Sequence, residues 1–267
     1  MRIYFVAGGK WYLKWPVLMD NTKNILISYH YAKNCVDELK SIDKNIFIDS
    51  GAFSAFNLNK EINLDNYCKF IKEVGGKVYA ALDVIRNPQQ SIDNYRYMKE
   101  VHGLNSIPVF HYNEHIKYLR MMLDEDVSYI GIGSTFQRLR NFNIWLDSVW
   151  SIILRYRPDI KVHGFGATNW NLIQRYPWYS VDSTTYLSPQ RFGRVNHYVK
   201  TKKIFIQLSL RKFAVLKKLD YDKEFSKVKS MGVIHTIKSY ERLVADITES
   251  NKVKNFSYLK NSKDFFM

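Results

Sequence analysis

The chain has 267 residues, enough for one large domain or two small ones, and 46% of them are hydrophobic, so a sizeable core can form. Lys and Arg outnumber Asp and Glu by 40 to 25, a formal charge of +15 that points to a polyanionic partner such as nucleic acid, or alternatively to a merely Lys-rich proteome. With only Cys35 and Cys68, no Cys/His cluster at ligand spacing, and no apolar run near the ~18 residues of a membrane span, a zinc site, a disulfide scaffold and a membrane protein are all disfavoured.

In chain order, β-rich runs recur at IYFVAG (3–8), NILISYH (24–30), NIFIDS (45–50), KVYAALD (77–83), SIPVFHY (106–112), SYIGIGS (128–134), KVHGFG (161–166) and WYSVDS (178–183). Helical patterns fall between many of them, at 64–75, 88–103, 113–126, 142–157 and 168–177, with Pro88 just inside one start and Gly75 and Gly103 just past two ends. Strands alternating with helices predict parallel βαβ units, and runs such as NIFI and VYAAL suit strands covered on both faces. The expectation is an α/β fold, a (β/α)8 TIM-like barrel over residues 1–198; an open doubly wound sheet is the alternative, weakened because no GxGxxG follows the first strand. From residue 199 the chain turns Lys-rich without a Gly, Pro or Ser linker, so 199–267 is expected to be a basic C-terminal extension, helical and packed on the barrel. The N-terminal apolar stretch is too short for a signal peptide, and the protein is expected to be soluble and cytoplasmic, with no membrane association.

Barrel chemistry sits where strands end, which directs attention to Asp49, Asp83, His111, Ser134, His163 and Asp182. Three carboxylates at one end carry a desolvation cost that calls for a ligand or a mechanism. Each also has a plainer reading: Asp49 before Ser-Gly as a turn cap, Asp83 with Asn87 and Pro88 as a helix cap, Asp182 in VDSTTY as another cap. Small residues at Gly51-Ala52, Gly131 and Gly133, and Gly164 and Gly166 would let backbone approach a flat ligand, flanked by Phe53 and the His163 ring; Phe53 could equally be ordinary core.

These motifs resemble, in order, those of the tRNA-guanine transglycosylase superfamily. FIDSGAFS (47–54) resembles its DSGGF/YQ segment, YAALDVIRNP (79–88) its base-reading strand, YIGIGS (129–134) its AIGG loop, and KVHGFGATNWNLIQRYPWYSVDS (161–183) the stretch bearing its nucleophile. The family's Cys-rich zinc site has no counterpart, and His111 stands where the family has Gln. A short, zinc-free chain is most similar to the phage and genomic-island relatives that insert 7-deazaguanine bases into DNA, which would place it in the host cytoplasm if phage-encoded.

The resemblance implies that Asp182 attacks C1′ as nucleophile and Asp49 is the general acid/base. It implies that Asp83 reads guanine through N1–H and the exocyclic amine, that amides around Gly131 to Gly133 donate to O6, and that His111 faces the base. Phe53, His163 and Gly164 complete the expected base pocket. Arg191 and Arg194 in SPQRFGR are candidate phosphate contacts, with a solvated loop as the alternative, and for Lys200, Lys202 and Lys203 a solvated face is favoured. The implied partners are DNA, or alternatively tRNA, and a 7-deazaguanine base, with no cofactor and no metal. A non-catalytic nucleic-acid-binding barrel and an unrelated sugar hydrolase are the competing readings. A homodimer is compatible with the sequence, which holds nothing that decides it.

Overall fold

Runs such as NILIS and NIFID place one set of apolar side chains on each side of a strand, so strands of this kind need cover on both faces. In the computed structural model, which describes residues 1–133, 142–252, 254 and 256–260, they receive it. Eight strands, β1 (Arg2–Ala7), β2 (Asn24–Ser28), β3 (Asn45–Asp49), β4 (Val78–Tyr79), β5 (Val109–Phe110), β6 (Tyr129–Ile132), β7 (Lys161–Gly164) and β8 (Ser180–Ser183), form one parallel sheet in the order β4-β3-β2-β1-β8-β7-β6-β5. The two strands at the ends of that order are joined by a parallel bridge between Ala80 and Ile107, with Ile107 N–H donating to Tyr79 O at 2.9 Å and Ala81 N–H to Ile107 O at 2.8 Å. Followed from strand to strand across this bridge, the pairing register returns to its start displaced by eight residues, the shear of a (β/α)8 barrel. Order, junction and stagger are all compatible with a TIM-like barrel.

Two packed layers follow from the strand alternation. Inside the curl lie Tyr4, Leu26, Phe47, Ala80, Ile107 and Val109, with Val6, Val78, Tyr129 and Phe165 against them. Outside, Ile3, Phe5, Ile25, Ile27, Ile48, Ile130, Ile132 and Val181 meet the helices in the larger core. Helices Leu64–Val74, Pro88–Glu100 and Trp170–Arg175 are capped by Asn63, Asn87 and Asn169, whose side chains accept from Asn66, Gln90 and Asn171 N–H at 2.9, 3.1 and 2.9 Å. Short helices that the periodicity does not foretell occupy Lys10–Leu13, Pro16–Met19, Tyr29–Ala32, Val36–Lys40 and Ala52–Asn57. They are too brief for a 3.6-residue repeat to register in the sequence.

Beyond β8 the chain is not wholly helical. An antiparallel hairpin, β9 (Arg194–Val199) and β10 (Ile204–Ser209), turns through Lys203 at φ 50°. The helix Phe225–Asn251 follows, and its Val233, Ile237, Tyr240, Val244 and Ile247, spaced by three and four, bury one stripe in the larger core. Gly232 lets that helix approach β9, since a Cβ there would stand 3.0 Å from Val195.

Candidate active site at the strand ends

Because alternate residues of a strand share a face, each interior residue predicts the one two positions on. Phe47 inside β3 puts Asp49 inside at its end, Val109 puts His111 there, and Ser180 puts Asp182 there. All three acids named from the sequence meet at this C-terminal end. Asp83 and Asp182 both act electrostatically on Asp49, and together with its desolvation they push the Asp49 carboxyl up to about 8. Asp49 is half-buried and, among the described residues, its Oδ2 accepts only the Gly51 N–H, at 3.1 Å. The turn reading of Asp49 is thus partly right, yet a turn does not explain a carboxyl that keeps its proton at neutral pH.

Asp83 is a different kind of acid. It is 8% exposed, its Oδ1 accepts from Ser50 Oγ at 2.8 Å and its Oδ2 pairs with His111 Nε2 at 2.8 Å. Burial pushes Asp83 up, but the His111 hydrogen bond and charge and the Ser50 hydroxyl outweigh it and leave it below its ordinary value. Burial likewise pulls His111 down, and Asp83, Glu114 and Asp49 overcome that and raise it. The result is a buried ion pair. The helix cap that Asp83 was offered belongs to Asn87 instead. Both Asp83 oxygens are already engaged once, so a base would be read only through their remaining lone pairs. His111 serves Asp83 as counter-charge, with its backbone N–H donating to Glu114 Oε2 at 2.9 Å.

Asp182 is 7% exposed, and its Oδ1 collects two partners, Gly166 N–H at 2.8 Å and His163 Nε2 at 3.3 Å. The capping role open to it falls to Ser183, whose Oγ accepts from Thr185 N–H at 2.9 Å.

Several residues expected in the base pocket are placed otherwise. The Gly131 and Gly133 amides are spent in the sheet, donating to Pro108 O at 2.8 Å and Phe110 O at 2.9 Å, so neither is left to donate to O6. Their small size serves neighbours: a Cβ on Gly131 would meet the Phe165 ring at 2.6 Å, and one on Gly133 the His111 ring at 2.3 Å. Gly164 faces the outer layer, 2.7 Å from Ala167 and 2.9 Å from Trp178 by the same construction. His163 is fully buried, ringed by Phe47, Phe165 and Tyr4, and supports Asp182 from beneath rather than stacking on a base. Phe53 is 52% exposed on the helix that opens two residues after β3 ends, which excludes the core reading. Arg191 and Arg194 are exposed, Arg194 being tied into the hairpin through Gln207 Oε1 at 3.3 Å. Ser134 lies outside the described residues.

The loops that follow β1, β2, β3 and β4 touch in sequence around this end, and the loop after β8 lies within electrostatic reach of the first. Arg191 and Tyr12 both act on Tyr186, a Cβ on Gly9 would contact Tyr31, one on Gly51 would strike Ser28 and His30, and Arg86 lies over the Phe56 ring at 5.5 Å. This arc carries exposed aromatics that sequence reading missed, Trp11, Tyr31, Phe56 and Phe192, among Lys33, Lys60, Arg86 and Arg191. Their signal was present as aromatic and basic residues just after strand ends. Ser28, opposite Asp49 in the register, was missed as well; its buried Oγ has no hydrogen-bond partner among the described residues.

No protein-family model and no curated protein matches the chain.

Proposed function

We infer that the chain is a base-exchange transglycosylase on a (β/α)8 barrel, replacing guanine in DNA with a 7-deazaguanine derivative through a covalent Asp182–sugar intermediate. One observation carries the reading: Asp49 and Asp182 project into one strand-end cluster, and Asp49 is pushed up to about 8, so it holds a proton at neutral pH. A retaining glycosyl transfer uses a pair of carboxyl groups, one of which carries the proton for the leaving group.

In the reaction, Asp182 Oδ2 attacks C1′ of the target nucleotide, the bond from C1′ to guanine N9 breaks, and Asp49 gives its proton to the departing base. The incoming 7-deazaguanine then returns a proton to Asp49 as its ring nitrogen attacks C1′ and the ester to Asp182 breaks. Asp83, held ionised by His111, accepts hydrogen bonds from the donor edge of guanine, a donor pair that adenine lacks. The duplex hides C1′ from a barrel mouth, so the nucleotide must leave the stack. Support for a nucleic acid comes from the net charge of +15 and from the arc of Trp11, Tyr31, Phe56 and Phe192 interleaved with cations, the pattern that stacks bases and contacts phosphates.

The test is incubation with labelled 7-deazaguanine and either DNA or tRNA, followed by nucleoside mass spectrometry. Label is expected in DNA. Label in tRNA alone would move the same chemistry to that polymer, and label in neither, with activity on small glycosides, would reject base exchange.

A further inference from the structure

Beneath Asp182 a line of polar groups runs through the otherwise apolar interior: Tyr129 Oη meets Ser180 Oγ, Ser180 Oγ lies 2.5 Å from His163 Nδ1, and His163 Nε2 lies 3.3 Å from Asp182 Oδ1. Ser180 and His163 are fully buried, and Tyr4, Phe47 and Phe165 wall them off from water. Polar groups in such a place persist when every donor has an acceptor, so the direction of each hydrogen bond can be worked out.

Burial holds the His163 imidazole below its ordinary value although Asp182 opposes this, so the ring is neutral and carries a single N–H. Asp182 Oδ1, which already accepts the Gly166 N–H, is also the acceptor for the imidazole, which puts that hydrogen on Nε2 and makes Nδ1 an acceptor. The atom facing Nδ1 is Ser180 Oγ, whose hydrogen must then point at His163. Ser180 Oγ in turn accepts from Tyr129, whose phenol burial pushes up and keeps protonated. Every link donates toward the mouth. At its end Oδ1 of Asp182 is held by His163 and by the Gly166 amide, while Oδ2 accepts from none of the described residues.

We propose that Tyr129, Ser180 and His163 are positioning residues, a one-way donor chain that satisfies both nitrogens of the buried His163 ring and clamps one oxygen of Asp182 so that the other is aimed at its electrophile. The aim at C1′ rests on the base-exchange reading, whereas the tautomer does not. Because a hydroxyl can both donate and accept, Asp182 sets which nitrogen carries the hydrogen, and the Ser180 hydrogen bond on the far nitrogen holds the ring in place.

The experiment is two-bond 1H–15N correlation NMR of histidine-labelled full chain at pH 7, with Ser180→Ala and Tyr129→Phe, beside exchange kinetics. The expected result is a neutral, Nε2-protonated His163 in the parent and, in Ser180→Ala, an Nδ1 resonance moved downfield by the loss of its hydrogen-bond donor, with kcat for exchange down at least about tenfold and KM unchanged. Tyr129→Phe, which keeps ring volume and leaves Ser180 able to donate, is expected to retain the Nε2–H tautomer with a smaller fall in kcat. An Nδ1-protonated or doubly protonated ring in the parent, or an unchanged Nδ1 resonance in Ser180→Ala, overturns the chain. The expected tautomers without any base exchange would leave the chain standing and remove the transglycosylase reading.

Discussion

The two ends of the parallel sheet have opposite electrostatic characters. At the C-terminal end Asp49, Asp83 and Asp182 influence one another, with His111 as the protonated partner. The N-terminal end holds a cavity of about 440 Å³ lined by Arg2, Lys77 and Lys161 with Tyr4, Tyr129 and Tyr179, and Asp126 is its acid. That cavity therefore opens at the end away from the carboxylates. At the N-terminal end Arg2 and Lys161 both lie over the Tyr179 ring, 5.5 and 5.0 Å from its centre. At the mouth, desolvation and the neighbouring Asp83 and Asp182 hold a proton on Asp49, an arrangement that costs stability.

The sharpest way to break this contrast is Asp182→Asn. Base exchange should fall by at least ~10³-fold with circular dichroism unchanged, because the nucleophile is lost while its shape remains. Retained exchange would empty the mouth of its assigned role.

His111→Ala should come next, destabilising the fold by about 3–5 kcal/mol in urea melts, since it strands Asp83 as a buried charge. His111 is raised, so its contribution is full below the ordinary histidine value of 6.5 and is lost as pH rises through its folded value. Asp83 is lowered, so its share is present above 3.8 and is lost as pH falls through its folded value. The difference between parent and variant should thus be widest in the weakly acidic window between them.

Asp49→Asn should do the reverse for stability while losing activity. With the folded pKa raised from 3.8 to about 8, the parent is favoured at acid pH and loses that advantage as pH climbs through this interval. The variant should gain on it by about 1–2 kcal/mol above pH 8, and parental exchange should decline above the same value as the general acid deprotonates.

Smaller effects should separate the rim from the base of the sheet. Trp11→Ala with Phe192→Ala should weaken single-stranded DNA binding by ~1–3 kcal/mol per stacked base in anisotropy titrations, without altering the melting temperature. Lys161→Ala at the opposite end should change stability by less than about 0.5 kcal/mol and leave exchange rates intact. A large loss of exchange there would mean that the basic cavity belongs to the reaction.

Much of this was legible in the chain. The eight strands fall on the eight β-rich runs, and NIFID already places Asp49 at a strand end. The helices from Leu64, Pro88 and Phe142 follow their periodicity. The hairpin of β9 and β10 was not anticipated, because Lys-rich KTKK masks the alternation of IFIQLS. Glycine misled most: at 131, 133 and 164 small size reads identically whether it admits a ligand or the rings of Phe165, His111 and Trp178.

Strand periodicity and the position of acids at strand ends are local properties, so the sequence alone determined that Asp49 and Asp182 stand at strand ends of an α/β chain. Which side each residue faces there, and which partner meets it, depends on register and stagger between strands far apart in the chain. Only the folded sheet could decide that Asp83 is tied to His111 while Asp49 keeps its proton, and that His163 lies beneath Asp182, because desolvation and charge contact are properties of the neighbourhood and not of the residue.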